Sequence, residues 1–445
     1  MSQKKKTWSI LVASLFCAQA FFACADPNPT TPAEDFTKSQ TSPEVAKSDS
    51  TTKGTAEPSS KDSTKTKVSP EDSTKSNSAA KDSTENQKSA ENAAIHTTIL
   101  GDSSGQLYSG KLYLNYPADS FLTKFDLGDI VTVAIPGYDT LVMPVAINTD
   151  DVPIAWFFVS AIKESNDLQL TIHNGYLSEI LGINDVKTPI DVFITMKEKG
   201  GFKFGLEMSD AQYMGTYAES YPNLSVDEFA NFREVRTTGM GKNKLYRSSS
   251  PIDPCLGRNL KADSLAKEKG VATFINLADS EESARSFKGF DSSYYSTQNA
   301  IFLAMPVEFF AKSFQKKLVQ GFRFMIEHDG PYLVHCTYGM DRTGFTISVL
   351  EALMGATSED LQNDYAKTFS NYYNLVDGKQ VTLNEQQVNF FKNVVTKNLQ
   401  AVYHAVDIEV PDIANADWAT ATEKYLLEIL QMTPEEVSAL KNKLK

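Results

Sequence analysis

One stretch near residue 340 constrains the fold of this chain more than any other. A short apolar run predicts a strand over residues 332–334, and a second predicts a helix over residues 345–354. The loop between them carries Cys336 and Arg342 six positions apart, with Gly339 between them. Small residues at such a bend aim backbone N–H groups and a helix N-terminus at one point, which can bind an anion. Cys336 would lie over that anion, and the planar guanidinium of Arg342 would clasp it.

The surrounding region, residues 221–445, alternates strand-like runs with amphipathic helices, as α/β proteins do. Strands are predicted over residues 244–248 and 271–277, and residues 309–328 place their apolar side chains on one helix face. An open α/β sheet binds ligands at the carboxyl end of a central strand, which is where the loop begins. We therefore expect an α/β domain over residues 221–445, a sheet flanked by helices.

Residues 95–210 have a different pattern. Short β-branched runs recur between turn residues, among them residues 106–113 and 130–135, and predict a small β-rich domain, a sandwich or a barrel. No catalytic set or metal-ligand spacing is visible in it. Its histidine at position 173, His173, is expected to be structural, and so are its scattered aspartates. The binding partner of this domain is unknown, and a targeting or substrate-presenting role is the default hypothesis.

The first 94 residues predict export and a tether. Residues 1–24 read as a signal peptide with a basic start and an apolar centre, and they end in a lipobox-like string at Cys24. Lipidation of Cys24 would give a cell-envelope lipoprotein, periplasmic or on the cell surface. A plain signal peptide, cut near Ala20 or Ala23, would give a secreted protein. Residues 25–94 are rich in Ser, Thr and Lys, have no apolar period, and predict a disordered linker.

Composition excludes some classes of partner and of scaffold. The net charge of −13 argues against nucleic acid. After removal of the signal and lipidation, only two of the four cysteines, Cys255 and Cys336, would remain as thiols, so the chain is not a disulfide scaffold. Cys255 is either an inert thiol or a redox guard that pairs with Cys336.

The string from His335 to Gly344 resembles the His-Cys-x-x-Gly-Lys-Asp-Arg-Thr-Gly signature of a bacterial tyrosine-phosphatase family that also shows lipid-phosphatase character. This family belongs to the cysteine-dependent phosphatases. Further segments of the chain resemble the family in the expected order: Asn231–Glu234, Lys244–Ser249, Asp364-Tyr365 and Tyr425–Leu444. The resemblance covers about half of the chain and does not extend to residues 25–210. It implies a tyrosine-phosphatase-like fold and hydrolysis of a phosphate monoester.

The residue types in the loop fit that chemistry. Cys336, as a thiolate, would attack phosphorus and form a phosphocysteine, while Arg342 stabilises charge on the phosphoryl oxygens. His335 would tighten the loop from behind, and Thr343 would hydrogen-bond the departing sulfur. The phosphate would be held by Arg342 and the backbone of the loop, over Thr337, Tyr338, Gly339 and Met340. No metal or cofactor is expected, because Arg342 and the amides supply the compensating charge.

The general acid is less directly indicated. The family resemblance assigns this role to Asp341, next to the loop arginine. Asp279, on the loop after a predicted central strand, is the alternative, and Asp341 could instead be a structural carboxylate that pairs with loop amides.

One departure from the family bears on the substrate. Met340 stands where the family usually has the lysine associated with the extra phosphates of inositol lipids. A thioether cannot replace that charge. A phosphorylated protein, above all phosphotyrosine, or a small phosphate ester is therefore the expected substrate. The alternatives are a phytase-like or phosphoinositide phosphatase, a non-catalytic phosphate-binding module, and a surface adhesion protein led by the β-rich region.

Overall fold

The chain is described here from a computed structural model that covers most of its length after residue 93. The described residues are 94–101, 105–107, 110–210, 221–372, 375–376, 379–380 and 382–445. The predicted signal peptide with Cys24, and all of the predicted linker except Ala94, lie outside them. No helix in these ranges combines the length and the apolar character that a membrane span needs.

The first part of the described chain is a seven-stranded sheet with the strand order β1-β7-β3-β4-β5-β6-β2. Neighbouring strands are antiparallel except for β4 and β5, which are parallel. The strands are β1 (Ala94–Thr98), β2 (Leu112–Tyr113), β3 (Ile130–Ala134), β4 (Leu141–Ala146), β5 (Phe157–Ile162), β6 (Asp167–Ile172) and β7 (Asp191–Glu198). Short helices accompany them: α1 (Ala118–Phe121), α2 (Leu177–Leu181) and α3 (Lys203–Asp210).

The two ends of this sheet meet, so it is a barrel. Ile99 and Leu114 form a bridge between the ends of β1 and β2. Two backbone hydrogen bonds flank the bridge, Leu100 to Tyr113 at 2.7 Å and Asn115 to Thr98 at 2.8 Å. Alternate residues of the strands point inward, and Ile95, Val131, Met143, Val159 and Ile194 are among those fully buried. Of the two architectures expected from the sequence, the structure is the barrel.

The length predicted for one strand of the barrel is wrong. The alternation over residues 106–113 predicts a strand of eight residues, but in the described part of this stretch only Leu112 and Tyr113 are strand. Gly105 and Gly110 have φ of 79° and 70°, values that break an extended backbone. The described residues of this stretch before Leu112 therefore belong to a connection between strands and not to a strand.

The second part contains a five-stranded sheet with the order β11-β10-β12-β9-β8. Its strands are β8 (Arg233–Glu234), β9 (Leu245–Ser248), β10 (Thr273–Asn276), β11 (Asn299–Phe302) and β12 (Tyr332–His335). The strands β9 to β12 are parallel, and β8 adds an antiparallel edge. Strand β12 is central and wholly buried, between β10 and β9. Its carboxyl end therefore has sheet on both sides.

Helices flank this sheet, as expected for a mixed α/β fold. They are α4 (Val226–Phe229), α5 (Asn259–Glu268), α6 (Glu281–Ser286), α7 (Lys312–Glu327), α8 (Asp341–Leu353), α9 (Ser358–Tyr372), α10 (Glu385–His404), α11 (Trp418–Lys424) and α12 (Pro434–Leu444). A π-helical turn, Tyr425–Ile429, follows α11, and a small hairpin of β13 (Leu375–Val376) and β14 (Lys379–Gln380) follows α9. The fold class predicted from the sequence is confirmed: a β-rich part is followed by a helix-flanked sheet.

Helix α8 begins four residues before the predicted start at Phe345. The Gly344 amide donates to the Met340 carbonyl at 2.6 Å, which closes the first turn. Apolar periodicity does not detect this turn, because it contains Asp341, Arg342 and Thr343. Beyond the turn every residue of α8 is buried, so the helix runs through the core.

Aromatic contacts join the barrel to the second part. Phe157 of β5 lies 5.9 Å from Phe310, and Phe202 lies 6.1 Å from Phe390 of α10, measured between ring centroids. The Lys397 ammonium lies 4.4 Å above the ring of Trp156. These contacts place one end of the β5–β6 hairpin against the helices that surround the loop.

Candidate functional site

The loop after β12 turns its carbonyl groups outward. The Leu277 amide donates to the His335 carbonyl at 2.9 Å, and the Ser250 amide donates to the Thr337 carbonyl at 3.0 Å. Tyr372 donates its hydroxyl to the Tyr338 carbonyl at 2.7 Å. In a trans peptide the N–H of the next residue points opposite to the carbonyl. The amides that follow these carbonyls therefore point to the inside of the loop, as an anion cradle requires.

Gly339 is required at the sharpest part of this loop. Its φ is +68°, which side chains rarely adopt. A Cβ atom there would lie 2.1 Å from the Ser248 carbonyl oxygen. Both the backbone conformation and the space exclude a larger residue.

Asn231 holds the outer side of the loop. Its amide nitrogen donates to the carbonyls of Tyr338, at 3.2 Å, and of Gly339, at 3.3 Å. The Asn231 side-chain oxygen accepts from Arg233 at 2.8 Å and from Asn371 at 3.0 Å. Asn231 is fully buried and has φ of 49°, a conformation that asparagine tolerates better than most residues.

Behind the loop, two buried arginines share one carboxylate. Arg247 donates to the Gly339 carbonyl at 2.8 Å and also to Asp364, and Arg233 donates to Asp364 at 2.7 Å. Burial alone would raise the pKa of the Asp364 carboxyl, but the charges and hydrogen bonds of both arginines hold it well below its usual range. The nearby Glu351 carboxyl is fully buried, and burial raises its pKa well above normal. Glu351 is therefore neutral, and Asp364 is the anion.

These supporting residues come from three of the segments that carry the family resemblance. Their positions in the sequence, 231–233, 247 and 364, gave no indication that they would meet at the loop. Tyr365, the neighbour of Asp364, packs closely against Gly344. A Cβ atom on Gly344 would lie 2.4 Å from the Tyr365 ring. The roles of Asn231, Arg233, Arg247 and Asp364 were therefore missed from the sequence.

The structure brings the predicted catalytic residues together around this loop. Cys336 is a free thiol with 3% of its surface exposed, so it is not bridged to Cys255. Cys255 is itself disulfide-bonded, so the prediction of an inert thiol is wrong too. Arg342 is half-buried and donates to the Met305 carbonyl at 3.1 Å. Within the described residues, the buried hydroxyl of Thr343 has no hydrogen-bond partner. A buried hydroxyl without a partner is costly, and it is available to a bound group.

His335 lies behind the loop and is uncharged. Burial, and then the charge of Arg342, lower its pKa to about 3, although the Cys336 carbonyl acts in the opposite direction. One ring nitrogen lies 3.2 Å from the Tyr295 hydroxyl, and the other lies 3.4 Å from the Cys336 carbonyl oxygen. His335 therefore has the geometry of a positioning residue.

Three carboxyl groups lie near the loop. Burial raises the pKa of Asp341 to about 6, against the opposing effect of Arg342. Burial also raises the pKa of Asp279, which accepts from Asn276 at 3.0 Å and is affected by the Arg342 charge. Asp253, which the sequence interpretation missed, has a pKa raised by burial and then by the Asp279 charge. A carboxyl that keeps its proton near pH 6 can act as a general acid, and Asp341 satisfies this condition within the loop itself.

A buried cation supports the loop from a greater distance. Arg258 is fully buried, and its guanidinium lies 3.9 Å from the centre of the Tyr372 ring and 4.5 Å from that of Phe229. It also donates to the Phe229 carbonyl. Arg258 packs against Tyr372, and Tyr372 donates to the Tyr338 carbonyl of the loop. Arg258 therefore supports the loop through Tyr372. No motif in the sequence indicated this residue.

A cavity of about 280 Å³ opens beside the loop. Met340 and Asp341 line it, together with aromatic residues of α9 and α10. Residues of the barrel line it too, and His173 is one of them. From the sequence, His173 is expected to be structural, and its place in the lining of this cavity was not predicted.

Comparison with known proteins identifies the second part of the chain. Residues 224–445 match the model of the tyrosine phosphatase family. The chain therefore contains a tyrosine phosphatase family domain, which supports phosphatase activity in general. No curated protein matches the chain.

One solved structure is similar over a short stretch. It is the crystal structure of an uncharacterized conserved protein from Thermotoga maritima, with 22% sequence identity and a TM-score of 0.19. The match covers 24% of this chain and 37% of the other, so the chain spans little more than a third of that protein. This likeness carries no argument about fold or function.

Proposed function

We propose that the protein hydrolyses phosphate monoesters through a phosphocysteine intermediate on Cys336, as a protein-tyrosine-phosphatase-like enzyme. The observation that carries the proposal is the loop itself, whose carbonyls are held outward and whose amides point inward around Cys336. The amides and the N-terminus of α8 would bind three phosphoryl oxygens, and Arg342 would clasp two of them. Such fixed donors stabilise the charge of the transition state without reorganisation.

In the first step the Cys336 thiolate attacks phosphorus, a P–S bond forms and the bond from phosphorus to the ester oxygen breaks. The departing oxygen takes its proton from Asp341. In the second step water attacks the phosphocysteine, the P–S bond breaks, and Asp341 takes a proton from the water. The Thr343 hydroxyl would donate to the departing sulfur, which gives a role to a buried group that has no partner among the described residues.

Asp341 is favoured as the acid over Asp279 because it directly follows the loop, as the first residue of α8, and lines the cavity beside it. A group with a pKa near 6 is partly protonated under mildly acidic conditions, which suits proton donation. Asp279 and Asp253 remain the alternative acids, since burial raises the pKa of each.

The substrate proposed is a monoester with one phosphate, phosphotyrosine above all. Met340 is 5% exposed and faces the cavity where the family would have lysine. An apolar side chain there provides no counter-charge for a second phosphate. Phosphoinositides and inositol polyphosphates are the alternative substrates.

The test is a panel of phosphate esters with the segment 95–445. Phosphotyrosine peptide, p-nitrophenyl phosphate, inositol hexakisphosphate and a phosphoinositide should be hydrolysed in that order of kcat/KM. Cys336→Ser should abolish every activity, because an alkoxide is not formed at neutral pH. Activity that survives in Cys336→Ser would exclude the phosphocysteine route, and phosphate binding without turnover in the wild type would indicate the non-catalytic module.

Export and a lipid anchor on Cys24 are proposed from the sequence alone. The supporting observation is the basic and then apolar run that ends in Cys24. Metabolic labelling with a palmitate analogue should mark the full chain and not Cys24→Ser. An unlabelled but secreted protein would indicate a plain signal peptide.

A further inference from the structure

The cavity beside the loop is built by both parts of the chain. Met340 and Asp341 line it, together with aromatic side chains of α9 and α10. The barrel contributes residues 150–154, between β4 and β5, and His173, directly after β6. Hydrogen bonds hold these two segments together: the Ala155 amide donates to the His173 carbonyl at 2.9 Å, and the His173 ring lies 2.7 Å from the Val152 carbonyl oxygen.

The position of the acid indicates what this cavity holds. A general acid must lie within hydrogen-bond reach of the leaving-group oxygen. If Asp341 is that acid, the leaving group lies on the side of the loop that Asp341 faces, and this is the side of the cavity. This step depends on the proposed function.

We infer that the barrel forms one wall of the leaving-group pocket, and that this wall selects an uncharged aromatic leaving group over an anionic one. The cavity has room for about one aromatic ring, and small-molecule sites are typically apolar with few polar groups. Aromatic rings of α9 and α10 and the side chain of Ile154 would provide apolar contacts to that ring. The role of the barrel in this enzyme is then substrate selection.

The charges at the cavity support this selectivity. Asp150 and Asp151 line the barrel side, and the described residues that line the cavity include no lysine or arginine. The Asp151 carboxylate is fixed by the amides of Ile147, at 3.0 Å, and Asn148, at 2.7 Å. The Asp150 side chain is 84% exposed, at the mouth of the cavity. A leaving group with its own negative charge would approach two carboxylates without a counter-ion.

His173 adds no opposing charge at this wall. Burial lowers its pKa, although the Val152 carbonyl and the Asp150 charge act in the opposite direction. Its Nδ1 lies 2.7 Å from the Val152 carbonyl, which can only accept, so Nδ1 carries the proton. In the neutral ring Nε2 is then an acceptor, 4.0 Å from Asp150, and it suits a donor on the ligand.

The test compares two aryl phosphates that differ only in charge, 4-carboxyphenyl phosphate and 4-carbamoylphenyl phosphate. In Asp150→Lys the ratio of their kcat/KM values, anionic over neutral, should rise about threefold to tenfold, the size expected for charges several ångströms apart in a partly screened site. The matched control is Glu164→Lys. Glu164 is exposed in the turn at the other end of the β5–β6 hairpin, so it makes the same charge change far from the cavity.

Each outcome decides the inference. The inference is supported if the ratio of kcat/KM values rises in Asp150→Lys alone and if this rise becomes smaller in high salt. An unchanged ratio, or an equal rise in Glu164→Lys, overturns the role of the barrel and leaves the phosphatase proposal intact. If the wild type hydrolyses neither ester, or if Cys336→Ser keeps the activity, the proposed function fails and this inference fails with it.

A second variant tests the size of the pocket. Ile154→Phe narrows the barrel wall, so kcat/KM for 2-naphthyl phosphate should fall at least fivefold relative to phenyl phosphate. Equal effects on both esters would mean that the leaving group does not contact this wall.

Discussion

Arg247 connects the loop after β12 to Asp364. One terminal nitrogen of its guanidinium donates to the Gly339 carbonyl at 2.8 Å, and the other donates to the Asp364 carboxylate. Arg247 has no exposed surface, and the Asp364 side chain is 10% exposed. The loop is therefore held from behind by a buried ion pair whose members are 117 residues apart in sequence.

Removal of the Asp364 charge should destabilise the protein strongly. In Asp364→Asn the two arginines would remain buried with no carboxylate, and loss of one partner of a buried pair costs about 3–5 kcal/mol. Urea unfolding at pH 7 measures this change. Asp412→Asn, which removes an exposed carboxylate, should leave the midpoint unchanged.

The same pair predicts how stability depends on acid. The folded-state pKa of Asp364 is lower than that of the unfolded chain, so its contribution is complete above about pH 4 and is lost as the pH falls further. The unfolding free energy of the wild type should therefore fall more steeply below pH 4 than that of Asp364→Asn. Parallel curves for the two proteins would show that Asp364 is not a buried anion.

Gly339→Ala should abolish activity and lower stability. The new Cβ would meet the Ser248 carbonyl at 2.1 Å, and the residue would also keep an unfavourable positive φ. Gly270→Ala is the matched control, since Gly270 has φ of 64° and nothing within 4 Å of its Cβ position. The control carries only the backbone strain, about 1–2 kcal/mol. Equal losses of activity would mean that the loop adapts to a side chain.

Asp341→Asn should affect poor leaving groups most. With phenyl phosphate, kcat should fall about 100-fold, within the range for a lost general acid, and with p-nitrophenyl phosphate it should fall much less. In the wild type, kcat for phenyl phosphate should decrease above pH 6, because the acid loses its proton there. Asp341→Asn should lack that decrease. If Asp279→Asn or Asp253→Asn shows this behaviour instead, that residue is the acid.

Met340→Lys tests the substrate preference. A lysine at this position would place a positive charge in the cavity, so kcat/KM for inositol hexakisphosphate relative to p-nitrophenyl phosphate should rise about tenfold. Met340→Leu keeps the apolar character and should leave the ratio unchanged. A ratio that is the same in both variants would show that this residue does not determine the preference.

The sequence predicted those features of the site that depend on neighbouring residues. Cys336, Gly339 and Arg342 lie within one loop, and the apolar runs on either side locate its strand and helix. Asn231 and Asp364 act on the same loop from more than 100 residues before it and more than 20 after it, and no local periodicity reports such contacts. Contact between parts of the chain that are distant in sequence also explains why His173 was not connected with the site.

In the fold, too, the sequence predicted the elements that depend on neighbouring residues and missed those that depend on distant ones. The runs around β3, β5 and β6 are long and regular enough to predict strands. Strand β11, with one exposed and three partly buried residues, lacks a distinct pattern and was missed. The closure of the barrel depends on the Ile99–Leu114 bridge, a single pairing that a strand pattern does not encode.

The closure of the barrel also governs when it can form during synthesis. Among the described residues, strand β1 pairs with β7 and, at its end, with the residue after β2, and Ile95 lies opposite Ile194, almost 100 residues later. Until β7 has been made, β3 has no partner on one side, and its open edge can pair with another chain. Such distant pairings form slowly. The nascent chain therefore passes through a stage in which aggregation competes with folding, and this stage ends when β7 inserts between β1 and β3.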